Sequence, residues 1–253
     1  MGFSLFIRKL LSVMTIYHRY SQGWQHRWGV IATLMAMELT ALGLVPLSAG
    51  AQLIPDDTLG DDSSLVNQNV QVRGESAERI DGGAIRGSNL FHRFSDFNVN
   101  EQQRVYFANP AGIDLILNRV TGNDVSDIMG TLGVDGDASL FLLNPNGIIF
   151  GQNARLDVTG SFTASTADSI LFPAGDEFSA TNPGNVSLLS VGIPLGVQYG
   201  PNAPRDITNE ATLSVGQDFS LSGGNIVSTG LLSAPLGELV LMGVAGDVQI
   251  QNA

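Results

Sequence analysis

The tripeptide Phe219-Ser-Leu221 recurs as Leu239-Val-Leu241, 20 residues later. Between the two copies lies Gly223-Gly-Asn-Ile-Val-Ser-Thr-Gly230, a turn, a short strand and another turn. The run Arg155-Leu-Asp-Val-Thr-Gly-Ser-Phe-Thr-Ala-Ser-Thr-Ala167 is written in the same style. Repetition at a fixed short period means stacked units, because no single unit can bury its own apolar face. A coil of roughly 20 residues holding two or three very short strands describes a parallel β-helix.

The rest of the chain from about residue 65 is compatible with that architecture. β-Branched and Leu-rich runs are cut by Gly, Asn, Asp and Pro: Leu65–Val72, Gly112–Leu117, Leu140–Leu143, Leu156–Val158, Val186–Leu189, Thr212–Val215 and Asp247–Ile250. Most alternate apolar with polar, the pattern of a strand with one buried face. No stretch sustains a helical period. The competing all-β architecture is a sandwich, whose strands recur every 8–12 residues through hairpins and are usually longer than three residues. The 20-residue recurrence favours the solenoid. Its inward positions exclude charge, which fits a chain with only 14% charged residues.

Charge divides the chain in two. Before residue 52, Arg8, Lys9, Arg19 and Arg27 face Glu38 alone; after it, eight arginines face 23 carboxylates. The overall charge of -12 therefore conceals a +3 leader and a -15 remainder. The leader is basic first, then apolar from Val30 to Val45, and ends Ala49-Gly50-Ala51. That order predicts a secretory signal peptide over residues 1–51, with an unusually long basic region and cleavage after Ala51, before Gln52. An N-terminal membrane anchor is the alternative, but a spanning helix wants about 20 apolar residues. The run here is shorter and Glu38 interrupts it. Residues 52–64 then read as an acidic start to the mature chain.

The same composition removes several functions. One Lys in an acidic chain leaves no phosphate-binding surface for nucleic acid. The chain has no Cys, hence no disulfide framework and no thiolate metal site. Asp135-Gly-Asp137 and the acidic pairs Asp56-Asp57 and Asp61-Asp62 reproduce neither an EF-hand nor a Ca²⁺-binding nonapeptide, so they read as solvated turns. His92 is the single imidazole after the leader and no G-x-S-x-G elbow surrounds any Ser, which argues against a hydrolase triad. Neither a cofactor nor catalysis is expected. A carbohydrate-active β-helix stays open as an alternative, because the fold alone does not exclude one. Its candidate acids, Asp206, Glu210, Asp218, Glu238 and Asp247, are thinly spread. A stand-alone surface adhesin is a further alternative, although no Trp follows the leader to form an aromatic contact patch.

Three turns share a chemistry. Asn109-Pro-Ala-Gly112, Asn144-Pro-Asn-Gly147 and Asn182-Pro-Gly184 each place Pro where φ is fixed and Gly or Asn where φ turns positive. The last reads as a simple corner. The middle one leads directly into Ile148 and the apolar Ile149-Phe150.

Asn144-Pro-Asn-Gly-Ile148, followed by Phe150-Gly151 and Ala154–Val158, resembles the N-terminal secretion domain of filamentous haemagglutinin and its relatives, the exported proteins of two-partner secretion. Asn118-Arg-Val-Thr-Gly122, Ser126-Asp-Ile-Met-Gly130 and Gly160–Ala167 stand around it in the order that family shows. The resemblance covers about Leu65 to Ala180, so residues 65–180 are expected to be the secretion domain and 181–253 continuing coils. The family's second motif has its candidate in Asn109-Pro110, which departs at its third and fourth positions. The resemblance implies a right-handed parallel β-helix with an N-terminal cap and small antiparallel extensions. It implies export through the general secretion machinery to the periplasm and capture there by a dedicated outer-membrane β-barrel transporter. Secretion to the cell surface or beyond, and folding there coil on coil, would follow, with the host or surface ligand unspecified. Asn144, Pro145, Asn146, Gly147 and Ile148 then carry either a recognition signal or an indispensable turn. Pairing of Leu65–Val72 or Leu140–Leu143 with a transporter strand is one way to be captured. Ending at Ala253 with no polar cap, the chain reads as the front of a longer protein, a truncated frame or a shortened relative.

Overall fold

A computed structural model describes residues 52–56, 62–183 and 192–251. The expected leader with Ala49 and Ala51, the acids Asp57 and Asp61, and the expected strand Val186–Leu189 lie outside them. What is described is nearly all β, with a short 3₁₀ turn at Pro173–Gly175. No described helix is long and apolar enough to cross a membrane.

Three ladders of short strands form the walls of the solenoid. The first stacks Asn89–Phe97, Leu115–Val120, Ser139–Leu143, Phe162–Ser165, Phe219–Gly223 and Leu239–Gly243, all parallel. The second stacks Glu75–Gly82, Arg104–Ala108, Thr131–Asp135 and Arg155–Asp157; later coils place the pair Leu213–Ser214 and Leu232–Ser233 at the same point of the circuit. The third stacks Ser126–Ile128, Ile148–Phe150, Ile207–Asn209, Ile226–Ser228 and Val248–Ile250. Each coil runs from the first wall to the third, then to the second, then back to the first.

Register confirms the period read from the sequence. Phe219 pairs with Leu239, 20 residues on, while earlier coils are longer: Leu90 pairs with Ile116, Ile116 with Leu140, and Leu140 with Phe162. These inward residues form one column, and from Leu90 to Phe219 each is buried. Phe162 meets Phe150 and Phe219 edge-on, at ring separations of 6.1 and 5.7 Å, the favoured aromatic arrangement. Ile148, Ile207 and Ile226 make the matching column of the third wall. Burying each such side chain contributes about 1.5–3 kcal/mol.

Two additions complete the domain. The N-terminal end is closed by antiparallel strands. Leu53–Pro55 and Ala84–Arg86 both pair with Asn89–Phe97, and the hairpin Ser64–Val72/Glu75–Gly82 extends the second wall. The hairpin loop is Arg73-Gly74, with φ of 53° and 83°. Two consecutive positive φ values are what a tight two-residue hairpin needs. Its tip is held down: Arg73 forms an ion pair with Asp157, and Tyr106 Oη donates to the same carboxylate at 2.6 Å.

The second addition leaves the circuit between Ser165 and Ile207. Ser169–Leu171, Glu177–Ser179 and Gly196–Gln198 form an antiparallel sheet. It packs on the outer face of the first wall, where Phe91, Leu117, Phe141 and Leu143 meet Ile170, Phe172 and Phe178. The first wall therefore has a core on both faces along Asn89–Phe97, Leu115–Val120 and Ser139–Leu143. Leu140-Phe-Leu-Leu143 accordingly reads as a continuous apolar run.

Candidate functional site

The strand Ser139–Leu143 ends where the chain must turn from the first wall to the third, and Asn144 makes that turn. Its backbone N–H donates to Ser165 O of the next coil at 3.0 Å. Its side-chain Nδ2 donates to Asp124 O at 3.0 Å and to Ser126 Oγ at 2.9 Å, both in the preceding coil. Its Oδ1 accepts from the Asn146 N–H at 2.9 Å and from Asn146 Nδ2 at 3.1 Å. Asn146 Nδ2 also reaches Gly122 O at 2.8 Å. Asn144 is fully buried and every polar group of its amide is engaged.

The five residues divide by exposure. Asn144, Gly147 and Ile148 are buried; Pro145 and Asn146 are half-buried. Gly147 has φ of 119°, a region that side-chain-bearing residues avoid. Ile148 pairs with Ser126 below and Ile207 above, inside the core. Pro145 and Asn146 open onto a cavity of about 520 Å³ shared with Asn123, Tyr199, Asn202 and Arg205.

The second motif is placed elsewhere. Asn109 Nδ2 donates to Ile113 O at 3.0 Å, Ile113 N–H donates to Pro110 O at 3.2 Å, and Gly112 has φ of 85°. This corner opens a strand of the first wall, whereas Asn144 closes one, so the structure does not bring the two motifs together. Asn182-Pro183 is a corner of the extension, and Pro183 O accepts from Arg119 Nη2 at 3.1 Å. Gln52 lies at the described start, its carbonyl accepting from Asn98 N–H at 3.0 Å.

Of the two segments considered for strand pairing, Leu140–Leu143 is hydrogen-bonded on both sides and buried. Ser64–Val72 stands at the outer edge of its sheet and carries no charge and no proline. Edge strands usually carry such groups to discourage pairing.

Several partners were not visible in the sequence. Asn209 repeats the Asn144 device without a proline, its Nδ2 donating to Ser228 Oγ at 2.9 Å and to Ala211 O at 3.0 Å. His92 hydrogen-bonds Ser64 Oγ at 2.9 Å. Burial pushes its pKa down to about 3, opposed by the charge of Asp81. Both members of this Ser–His pair are sealed from solvent, so it joins cap to first coil and offers nothing to a substrate. Arg93 and Arg119 are paired in register under the extension, their guanidinium carbons 5.8 and 4.4 Å from the Phe178 ring centroid. Burial, then the charge of Arg93, pushes Arg119 down to about 9, against the pull of Asp56. Arginine in a strand reads as a surface residue, and only the flanking apolar residues hint otherwise.

Asp135 pairs with Arg79 at 3.9 Å and Asp137 Oδ1 accepts from Thr159 Oγ1 at 3.2 Å. Among the described residues no three His, Asp or Glu side chains converge on a metal position.

The sequence model of the TPS secretion domain matches residues 51–253, which hold all of the architecture above. The chain belongs to the two-partner secretion (TPS) secretion-domain family. Two heme/hemopexin-binding proteins of Haemophilus influenzae are similar to it. One is 39% identical over 72 residues, 28% of this chain and 8% of that protein; the other is 35% identical over 75 residues, 30% of this chain and 8% of that protein. The chain thus spans a small part of the length of these curated relatives. Among solved structures, the HMW1 secretion domain from Haemophilus influenzae has a TM-score of 0.48 at 22% identity, covering 71% of this chain and 42% of that one. The filamentous hemagglutinin secretion domain has a TM-score of 0.32 at 14% identity, covering 78% of this chain and 99% of that one. TPS domains are the secretion domains of exported, adhesin-like proteins and are not an enzyme family. Proteins bearing them pass the periplasm to the cell surface or are released.

Proposed function

We propose that this TPS domain is captured in the periplasm by its cognate outer-membrane transporter through the segment Leu65–Val72, and that the Asn144–Ile148 corner serves folding rather than recognition. The observation that carries the reading is the contrast between the two strands. A chain held through Leu140–Leu143 must give up that pairing before the solenoid can close, because the fold uses both edges of the strand. A chain held through Leu65–Val72 keeps one edge free of its own hairpin partner and can stack its coils while still attached. Strand addition of this kind draws its affinity from main-chain hydrogen bonds.

Three further features support export. There is no Cys to be oxidised in the periplasm. A solenoid can fold from whichever coils have already emerged. The charge of -15 after the leader opposes aggregation of the unfolded chain. The leader 1–51 is read as the signal peptide, 52–64 as the start of the mature chain, 65–180 as the recognised domain and 181–253 as further coils. Coexpression with the transporter tests the reading: export should require it and should fall sharply when Leu65–Val72 is replaced by a polar sequence. Undiminished export of that variant overturns it.

A further inference from the structure

Asn146-Gly147 is the one Asn-Gly pair in the chain. Glycine has no side chain to shield its nitrogen, so here a backbone nitrogen reaches the preceding asparagine with least obstruction. The reaction that follows needs no enzyme. The Gly147 nitrogen loses its proton to hydroxide and attacks Cγ of Asn146. A C–N bond forms, the Cγ–Nδ2 bond breaks, and Nδ2 leaves as ammonia. Water then opens the cyclic imide. Opening at Cγ leaves aspartate. Opening at the backbone carbonyl leaves isoaspartate, whose main chain is longer by one methylene. Nothing is oxidised or reduced.

The folded corner holds each reacting group off this path. The attacking group, Gly147 N–H, donates to Asn144 O at 3.2 Å. The leaving group, Asn146 Nδ2, donates to Gly122 O at 2.8 Å and to Asn144 Oδ1 at 3.1 Å. The Asn146 N–H is tied to Asn144 Oδ1 at 2.9 Å. On the far side, Gly147 O accepts from Ser126 N–H at 3.1 Å and Ile148 N–H donates to Asp206 O at 3.3 Å. Gly147 itself is buried, with Asp206 O and the Val125 side chain against it. Ring closure requires the Asn146–Gly147 peptide to rotate, and that peptide is clamped to the coil before and the coil after. The clamp is complete only when the chain has folded as far as Asp206, beyond the extension. An unfolded chain has none of these bonds.

The products do not fit the place they come from. Aspartate at 146 sets a carboxylate against Gly122 O and Asn144 Oδ1, the two acceptors that Nδ2 served. A partly buried charge without donors is costly. Isoaspartate adds a methylene to a corner whose two ends are fixed: Asn144 is bonded to Ser165 and Ile148 is paired in register with Ser126 and Ile207.

We propose that Asn146–Gly147 is a spontaneous modification site, open while the chain is unfolded and closed once the coils on either side lock the corner, and that its aspartate and isoaspartate products disable the corner. A chain held unfolded too long thus loses the turn it needs to stack its coils. The proposal does not depend on which segment the transporter holds.

The test ages the full chain at one mildly alkaline pH and one temperature, folded in buffer and unfolded in guanidinium chloride. Peptide mapping by mass spectrometry follows the mass gain of an amide turned acid at Asn146. Conversion is expected to be at least tenfold faster in the unfolded chain. Equal rates in the two states overturn protection by the fold, and no conversion in the unfolded chain overturns the site. Aged chains are then separated by charge, checked by mapping for conversion at Asn146 alone, and refolded. The converted fraction is expected to melt several degrees below the unconverted one or to fail to refold, and Asn146→Asp to melt below Asn146→Ala. A converted fraction that regains the Tm of the unconverted one overturns the effect on the corner. Asn146→Asp melting at or above Asn146→Ala overturns the part assigned to the new carboxylate.

Discussion

Asn144 and Ser126 sit in successive coils, and the amide Nδ2 of Asn144 donates to the Ser126 hydroxyl at 2.9 Å with both side chains sealed from solvent. The corner is thus a tie between coils as well as a turn. Asn144→Ala removes every side-chain partner of Asp124 O, Ser126 Oγ and the Asn146 N–H at once. Leaving buried groups unpaired costs about 1–3 kcal/mol. Urea denaturation is expected to show a loss of about 2–3 kcal/mol. Asn146→Ala, in a half-buried place, should lose less than half as much. Equal losses would contradict the division of the motif by exposure.

Acid should weaken the N-terminal cap through His92. Its folded pKa is about 3, below the usual value of about 6.5 expected of the unfolded chain. Between these values the unfolded chain binds a proton that the folded one refuses, so lowering the pH favours unfolding. The contribution is whole above about pH 6.5 and falls by about 1.4 kcal/mol per unit below about pH 6. Asp81 opposes the shift, and Ser64 and Phe107 complete the surroundings. Chemical denaturation from pH 7 to 4 should show a flatter decline in His92→Gln than in the parent, and parallel curves would contradict the assignment.

Phe178 holds the extension to the solenoid. Its ring packs at 5.0 Å on Phe91 and covers Arg93 and Arg119. Phe178→Ala is expected to cost about 3–4 kcal/mol locally. Amide exchange should speed up across Ser169–Leu171 and stay slow across Ser139–Leu143. Loss of protection in both would show that the two cores fold as one unit.

The fold was legible where side-chain period and coil period coincide. Phe219 and Leu239, equivalent positions of the sequence repeat, are register partners, and the solenoid, its antiparallel cap and its small extension follow the expected plan. The Asn144 turn was visible because proline and glycine mark it. Asn209 performs the same task without either, so nothing in its neighbours announces it. The acids Asp218 and Glu238 looked thinly spread along the chain, yet stacking places them at one corner of successive coils, with Glu238 N–H donating to Asp218 Oδ1, which only the register reveals. Arg93 and Arg119 were hidden for a different reason: charge signals surface, and here an aromatic ring and an inserted sheet cover it. Leu140–Leu143 looked as available for pairing as Leu65–Val72, because a sequence does not say which strand ends at an edge.

Direct binding to the purified periplasmic part of the cognate transporter tests the central claim. The chain, a variant with Leu65–Val72 replaced by a polar sequence, and Asn144→Ala are compared by titration under conditions that keep all three unfolded. The account predicts at least a tenfold loss of affinity for the Leu65–Val72 variant and unchanged affinity for Asn144→Ala, whose defect should lie in folding. Unchanged binding of the first with lost binding of the second would contradict it and make the corner the recognition signal.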